Sequence, residues 1–251
     1  MRRQVSNTAD YGSSVLTTSG RTVLISGANR GVGNAIARRL HAAGYQVSAG
    51  ARDPDALATS LADLDDERLL CHEFDATIGG SDRRWVDDTL ARFGSLDVVI
   101  NNAGLLDTSP LEDLTMDHLD AMLEVNLKAP LRIIQLALPH LRACGTGRVV
   151  NMASLSGLRV KGVFAPGYAM TKHAVVALSE ATKQAAWDDG VRVVSVCPGF
   201  VATDMVADLG EAPESMIQPD DLAEAIATVI ALPNTASVAQ LNVACRLEPH
   251  F

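Results

Sequence analysis

Seven short runs rich in apolar and β-branched residues recur along the chain: RTVLIS (21–26), YQVSAGA (45–51), RLLCHEF (68–74), LDVVI (96–100), RVVNMAS (148–154), VRVVSV (191–196) and SVAQLNV (237–243). Between them, residues 32–43, 55–63, 81–93, 116–143, 168–187 and 220–232 carry apolar positions at three-to-four spacing. The first pattern predicts strands buried on both faces, the second helices with one apolar stripe. Strands of that kind, each followed by a helix, imply an α/β fold with a doubly wound parallel sheet of about seven strands. No linker, repeat or low-complexity block divides residues 18–251, so one domain is expected there. Residues 1–17 are polar and aperiodic and read as a flexible extension.

Such a sheet binds its ligand outside the carboxyl ends of its strands, which directs attention to the segment after each one. The first strand runs into SGANRGVGNAIARRL, where Gly27, Gly31 and Gly33 have the spacing G-x-x-x-G-x-G ahead of a helix. Glycines there allow a tight turn and let backbone N–H groups and the positive helix end approach a pyrophosphate; Val32 lies among them. At the end of the second strand an NAD-binding fold commonly has an acidic residue for the ribose 2′-hydroxyl. This chain has Ala51 followed by Arg52, and Arg30 of the glycine loop is expected to project towards the same region. Two guanidiniums without a carboxylate favour a 2′-phosphate, hence NADP(H) over NAD(H). Asp53-Pro54 reads instead as a helix N-cap with proline at the first helical position. Asp75 and Ala76 follow the third strand within reach of an adenine edge, although Asp75 serves a turn equally well. NNAG, with Asn102, Ala103 and Gly104, follows the fourth, and PGFVAT, with Pro198, Gly199, Val201 and Thr203, follows the sixth.

YAMTK places Tyr168 and Lys172 one helical turn apart. Alone, the pair fits an exposed helix whose lysine stem covers a ring. It also fits an ammonium that lowers the phenol's pKa and makes Tyr168 a proton donor and acceptor. Pro130 lies four residues after Asn126 and has no N–H for the Asn126 carbonyl, which predicts a kink that frees that carbonyl for a water.

Composition narrows the classes. The net charge is −9 and there is no basic run, which argues against nucleic-acid binding. No apolar stretch reaches the length of a bilayer span, and no apolar run follows the opening MRR, so neither membrane nor secretory routing is expected. The four cysteines form no CxxC pair and the six histidines show no ligand spacing. Free thiols in the cytoplasm and no metal site are the expectation.

SGANRGVG, NNAG, the serine at 154, YAMTK and PGFVAT, in that order from about residue 20, together resemble the short-chain dehydrogenase/reductase family in its compact single-domain branch. The resemblance implies a Rossmann-like fold with Tyr168 as catalytic acid/base. It implies Lys172 as the residue that tunes the phenol and holds the nicotinamide ribose. Ser154 becomes the hydrogen-bond partner of the substrate oxygen, and Asn126 part of a proton relay. Gly27, Arg30, Gly31, Val32 and Gly33 match the phosphate loop, Asn102, Ala103 and Gly104 the segment under the adenine ribose, and Pro198, Gly199, Val201 and Thr203 the nicotinamide side. Two departures stand out. Ser26 replaces the usual threonine, and the Ser154–Tyr168 interval is one residue longer than is common in the family.

The expected activity is NADP(H)-dependent hydride transfer between nicotinamide and a ketone, aldehyde or secondary alcohol. An NAD-dependent alcohol dehydrogenase and a non-catalytic nucleotide-binding regulator are the rivals. The partner is a small carbonyl or alcohol, and a homodimer or homotetramer is implied by the resemblance. Residues 203–218 form the candidate substrate lid, with Met205, Leu209 and Met216 suggesting a neutral, partly apolar substrate. Arg159 and Lys161 are expected to be solvated, with capture of a substrate carboxylate as the alternative.

Overall fold

The computed structural model describes residues 15–160 and 163–248. Its strands are β1 (Thr22–Ser26), β2 (Gln46–Ala51), β3 (Leu69–Glu73), β4 (Val98–Asn101), β5 (Arg148–Met152), β6 (Arg192–Pro198) and β7 (Gln240–Val243). They form one parallel seven-stranded sheet in the order β3-β2-β1-β4-β5-β6-β7. The helices are α1 (Gly31–Ala42), α2 (Pro54–Ser60), α3 (Ser81–Phe93), α4 (Met116–Leu123), α5 (Ala129–Ala143), α6 (Pro166–Ala186) and α7 (Pro219–Ala231).

Period-two side-chain alternation sorts the central strands between two cores. Val23 and Ile25 of β1, Val98 and Ile100 of β4, and Val194 and Val196 of β6 face α1, α2 and α7. Leu24, Val99 and Val193 face the other way, onto Trp85 of α3 and Ile133 and Ala137 of α5. The doubly wound architecture is therefore the one the apolar runs predicted. Strand order reverses at β1–β4, which opens a crevice between the loops that follow them, as such sheets do at a topological switch point.

Residues 116–143 depart from one continuous helix. Between α4 and α5 the chain makes a π-helical turn over Glu124–Lys128, in which the Ala129 N–H donates to the Glu124 carbonyl. Pro130 causes it: with no N–H, it cannot continue the four-residue ladder back to Asn126, and the backbone widens by one residue. The predicted kink is thus a π-turn, and Asn126 sits buried inside it.

The extension predicted over 1–17 falls mostly outside the described residues. Its described end is tied down: Leu16 N–H donates to the Ala231 carbonyl at 2.8 Å and the Thr18 hydroxyl donates to the Ala43 carbonyl. Among the described residues no helix is long and apolar enough to cross a membrane.

Candidate active site

A cavity of about 1220 Å³ runs along the carboxyl ends of the strands, room for more than one drug-sized ligand. Every candidate catalytic or cofactor-binding residue named from the sequence lines it except Gly33 and Asn126.

Close backbone approach shapes one end. Gly27 (φ +68°) and Gly31 (φ +55°) occupy the left-handed region that favours glycine. A Cβ at Gly33 would stand 2.2 Å from the Gly27 carbonyl oxygen and 2.5 Å from Asn102 Nδ2, so only glycine lets α1 meet the β1 turn. Asn102 Nδ2 donates to the carbonyls of Ser26 (3.0 Å) and Gly27 (3.1 Å), and the Ser26 hydroxyl accepts from the N–H groups of Asn102 and Ala103, both at 3.0 Å. Serine at 26 thus keeps the hydroxyl that clasps β1 to β4.

Ala51 is buried at the end of β2, and exposed Arg52 follows. Asp53 caps α2 by accepting from the Ala56 N–H at 2.9 Å, with Pro54 opening the helix, as the sequence predicted. Asp75 accepts from the Thr77 N–H and hydroxyl, each at 2.8 Å. The Thr77 N–H chiefly, then its hydroxyl and the charge of Arg52, hold the Asp75 carboxyl below its ordinary value. Arg30 differs from expectation. Its guanidinium pairs at 2.7 Å with Asp204 at the start of the lid instead of turning towards Arg52. Both side chains are largely exposed, so the pair is held weakly and its arginine is available to another anion.

At the cavity's other end, Ser154 leaves β5 in extended conformation and its hydroxyl accepts from the Ser156 N–H at 3.1 Å. The Tyr168 phenol lines the same cavity wall. Burial pushes the phenol up to about 12, and the neighbouring Ser154 hydroxyl only partly offsets it. Lys172 is buried on the same face of α6. Its ammonium donates to the Met152 carbonyl at 2.6 Å and stands 5.4 Å from the Tyr168 ring centre. Burial lowers it to about 8. The expected depression of the phenol by the lysine does not appear in this pocket, where desolvation of the phenol itself sets the direction.

The Asn126 side chain clamps the NNAG loop. Its Oδ1 accepts from the Leu105 N–H at 2.8 Å and its Nδ2 donates to the Leu105 carbonyl at 2.9 Å and to the Thr171 hydroxyl at 3.0 Å. Thr171 in turn donates to the Tyr168 carbonyl at 2.8 Å, so the π-turn, the NNAG loop and α6 are fastened at one point. Ala165, ahead of Pro166, takes φ +50°, unusual for a residue with a Cβ, and aims the first turn of α6 at the cavity.

A family model described as short chain dehydrogenase matches residues 21–214. The chain belongs to the short-chain dehydrogenase family. It is 42% identical over 229 residues to an agropine synthesis reductase of Rhizobium rhizogenes, which covers 90% of this chain and 53% of that protein; the chain thus spans about half the length of that relative. An alcohol dehydrogenase from the archaeon Thermococcus sibiricus, solved with 5-hydroxy-NADP, superposes with TM-score 0.84 at 31% identity, covering 92% of this chain and 99% of its own. A 3-ketoacyl-(acyl-carrier-protein) reductase from Brucella melitensis, solved with NADH, also gives TM-score 0.84, covering 91% and 98%; at 24% identity it speaks to the fold alone.

Against this family background, the end of the cavity away from the glycine cradle holds the residues that sequence reasoning missed. Phe164, Phe200, Glu211, Arg246 and Glu248 line the cavity there. Arg159, expected in solvent, is instead largely covered and ion-paired with Glu248. The reason is a partner 89 positions away that no local pattern reveals. Lys161 and the Leu209 side chain lie outside the described residues. Of the other lid residues, Met216 is buried and Met205 exposed. The ends of the lid are pinned, because Ile217 N–H donates to the Phe200 carbonyl at 3.0 Å and Ala202 N–H to the Ile217 carbonyl at 2.9 Å.

Proposed function

We propose that this short-chain dehydrogenase is an NADP(H)-dependent oxidoreductase. It moves a hydride between nicotinamide and a ketone, aldehyde or secondary alcohol, with Tyr168 as the acid/base. One observation carries the reading: Ser154, Tyr168 and Lys172 line the same cavity that the glycine cradle closes at its far end. The cradle fits a dinucleotide, since the space a Cβ would fill at Gly33 is taken by backbone and the α1 N-terminus opens towards the cavity. Bound there, the cofactor supplies or takes up the hydride.

The protein's residues supply the proton and the alignment. A phenol held up to about 12 is protonated at neutral pH and ready to give its proton to a carbonyl oxygen. The hydroxyls of Ser154 and Tyr168, lining one cavity, would form a two-donor seat for that oxygen. Lys172, lowered to about 8 but still mostly charged at neutral pH, stands beside the phenolate left after transfer. Asn126 holds the NNAG loop and Thr171 in register with Tyr168. The NADP preference is supported by Ala51 and Arg52 at the end of β2 and by the 5-hydroxy-NADP bound to the Thermococcus alcohol dehydrogenase. A homodimer or homotetramer is the assembly we favour, with exposed Met116, Leu131 and Met170 as candidate buried contacts.

Paired NADPH and NADH titrations on the wild type and on Arg52→Ala, followed by turnover on a carbonyl panel, test the reading. We expect tighter NADPH binding, a preference that falls about tenfold in the variant, and NADPH oxidation with at least one carbonyl. Equal binding of the two cofactors would overturn the NADP assignment. Saturable NADPH binding with no oxidation across the panel would make the protein a nucleotide-binding regulator instead.

A further inference from the structure

The substrate end of the cavity carries charges that hydride transfer does not use. Arg159 lies five residues beyond Ser154, its N–H donating to the Leu155 carbonyl. Glu248 arrives from the opposite direction, on the segment that leaves β7, which is itself fastened where the Gly199 N–H donates to the Val243 carbonyl at 2.8 Å. The Arg159 guanidinium pairs with one oxygen of the Glu248 carboxylate. Arg246 Nε stands 3.8 Å from the other oxygen, and Arg246 Nη1 pairs at 2.9 Å with Glu211 of the lid. The Arg246 guanidinium also lies over the Phe200 ring, 5.2 Å from its centre. The four side chains thus alternate in sign along the wall. They also grade in exposure, from 9% for Glu248 and 15% for Arg159 to 34% for Glu211 and 45% for Arg246.

Alternation decides what such a wall accepts. A substrate carboxylate approaching Arg159 meets Glu248 already seated on it, and two carboxylates at one guanidinium repel in a partly desolvated site. A lone ammonium approaching Glu248 meets the two arginines in the same way. A group that carries both signs can interleave, its carboxylate towards an arginine and its ammonium towards a glutamate, so that every charge gains a neighbour of opposite sign.

Building on the proposed reductase activity, we infer that this wall selects a carbonyl compound whose far end is dipolar, with an ammonium and a carboxylate on the same carbon. Arg159 and Glu248 are its specificity determinants, and the segment after β7 is part of the substrate site. This replaces the neutral, partly apolar substrate that the lid sequence suggested.

Four ketones that differ only at the far end test it: para-acetylphenylalanine, para-acetylphenylpropanoate, para-acetylphenethylamine and para-ethylacetophenone. Each is assayed with NADPH for kcat/KM and, separately, for the rise in Tm of the NADPH-loaded protein. The dipolar ketone should exceed the other three by about tenfold or more, the scale of one matched charge-assisted contact. Glu248→Gln should shift the preference towards the propanoate, Arg159→Gln towards the amine, and the double variant should level the series. NADPH titration reports whether each variant keeps its cofactor half. Where a single variant fails to fold, the wild-type order and the double variant, which carries no unpaired charge at these two positions, still decide. Equal turnover of all four ketones, or a preference unmoved by the variants, would overturn the inference. Charge-selective binding without turnover would leave the wall standing and overturn the proposed reductase.

Discussion

The two ends of the cavity are built by different means. At the glycine end, backbone meets backbone: Gly33 against the Gly27 carbonyl, Asn102 against the Ser26 and Gly27 carbonyls. At the substrate end, side chains from a loop, a lid and the segment after β7 meet through charge, with Arg159, Glu248, Arg246 and Glu211 drawn from three separate stretches. The first arrangement tolerates almost no change, because atoms already in contact have no room to yield. The second can change by substitution without disturbing the sheet. A shared cofactor and a variable substrate are what that division would serve.

The rigid end should respond most strongly to substitution. Gly33→Ala should destabilise the protein by about 1–3 kcal/mol, the usual cost of overpacking, and weaken NADPH binding well over tenfold. Denaturant unfolding and cofactor titration would check both. A variant of wild-type stability and affinity would mean that α1 moves freely relative to β1.

Next in size is the pH response of the chemistry. Lys172 titrates at about 8, and Tyr168 at about 12, so between those values the phenol keeps its proton while the lysine loses its charge. The charge is present below about 8 and lost above it, hence kcat for carbonyl reduction should fall as pH rises through that value. Lys172→Arg, whose guanidinium stays charged, should move that limb upward by more than about one pH unit. An unmoved limb would assign the titration to another group.

The smallest effect sharpens the reading of the β2 end. Asp53→Ala should cost about 1 kcal/mol through loss of the α2 cap, with no change in cofactor preference. Thermal unfolding beside the NADPH and NADH titrations would measure it. A specific loss of NADH affinity would show Asp53 reading a ribose instead of capping a helix.

How far the chain could be read without coordinates follows the same division. Strand and helix positions were legible because the central β-runs are apolar on both faces, the edge strand β7 keeps one apolar face, and each helix repeats its stripe. The glycine cradle was legible because close approach leaves only one residue type. Pro130 signalled a break after Asn126, but a missing N–H does not say whether the backbone bends or widens, and the π-turn emerged only from the fold. The Tyr168–Lys172 spacing was legible, whereas the direction of the phenol's shift was not, since desolvation depends on what surrounds α6. Arg159 was misjudged for a related reason: nothing near it in sequence announces Glu248. Contacts made by local geometry leave a local trace, and contacts made by long-range charge leave none.

The central claim, that Tyr168 gives the proton in a nicotinamide-dependent reduction, is met most directly by Tyr168→Phe. The substitution removes one oxygen and leaves the ring in place. NADPH titration and single-turnover oxidation of bound NADPH by an accepted ketone should be measured on the same preparation. NADPH binding should stay within about twofold of wild type and the rate should fall by roughly 100-fold or more, the range for loss of a general acid. A rate within tenfold of wild type, with binding intact, would contradict it and move the proton to Ser154 or to solvent.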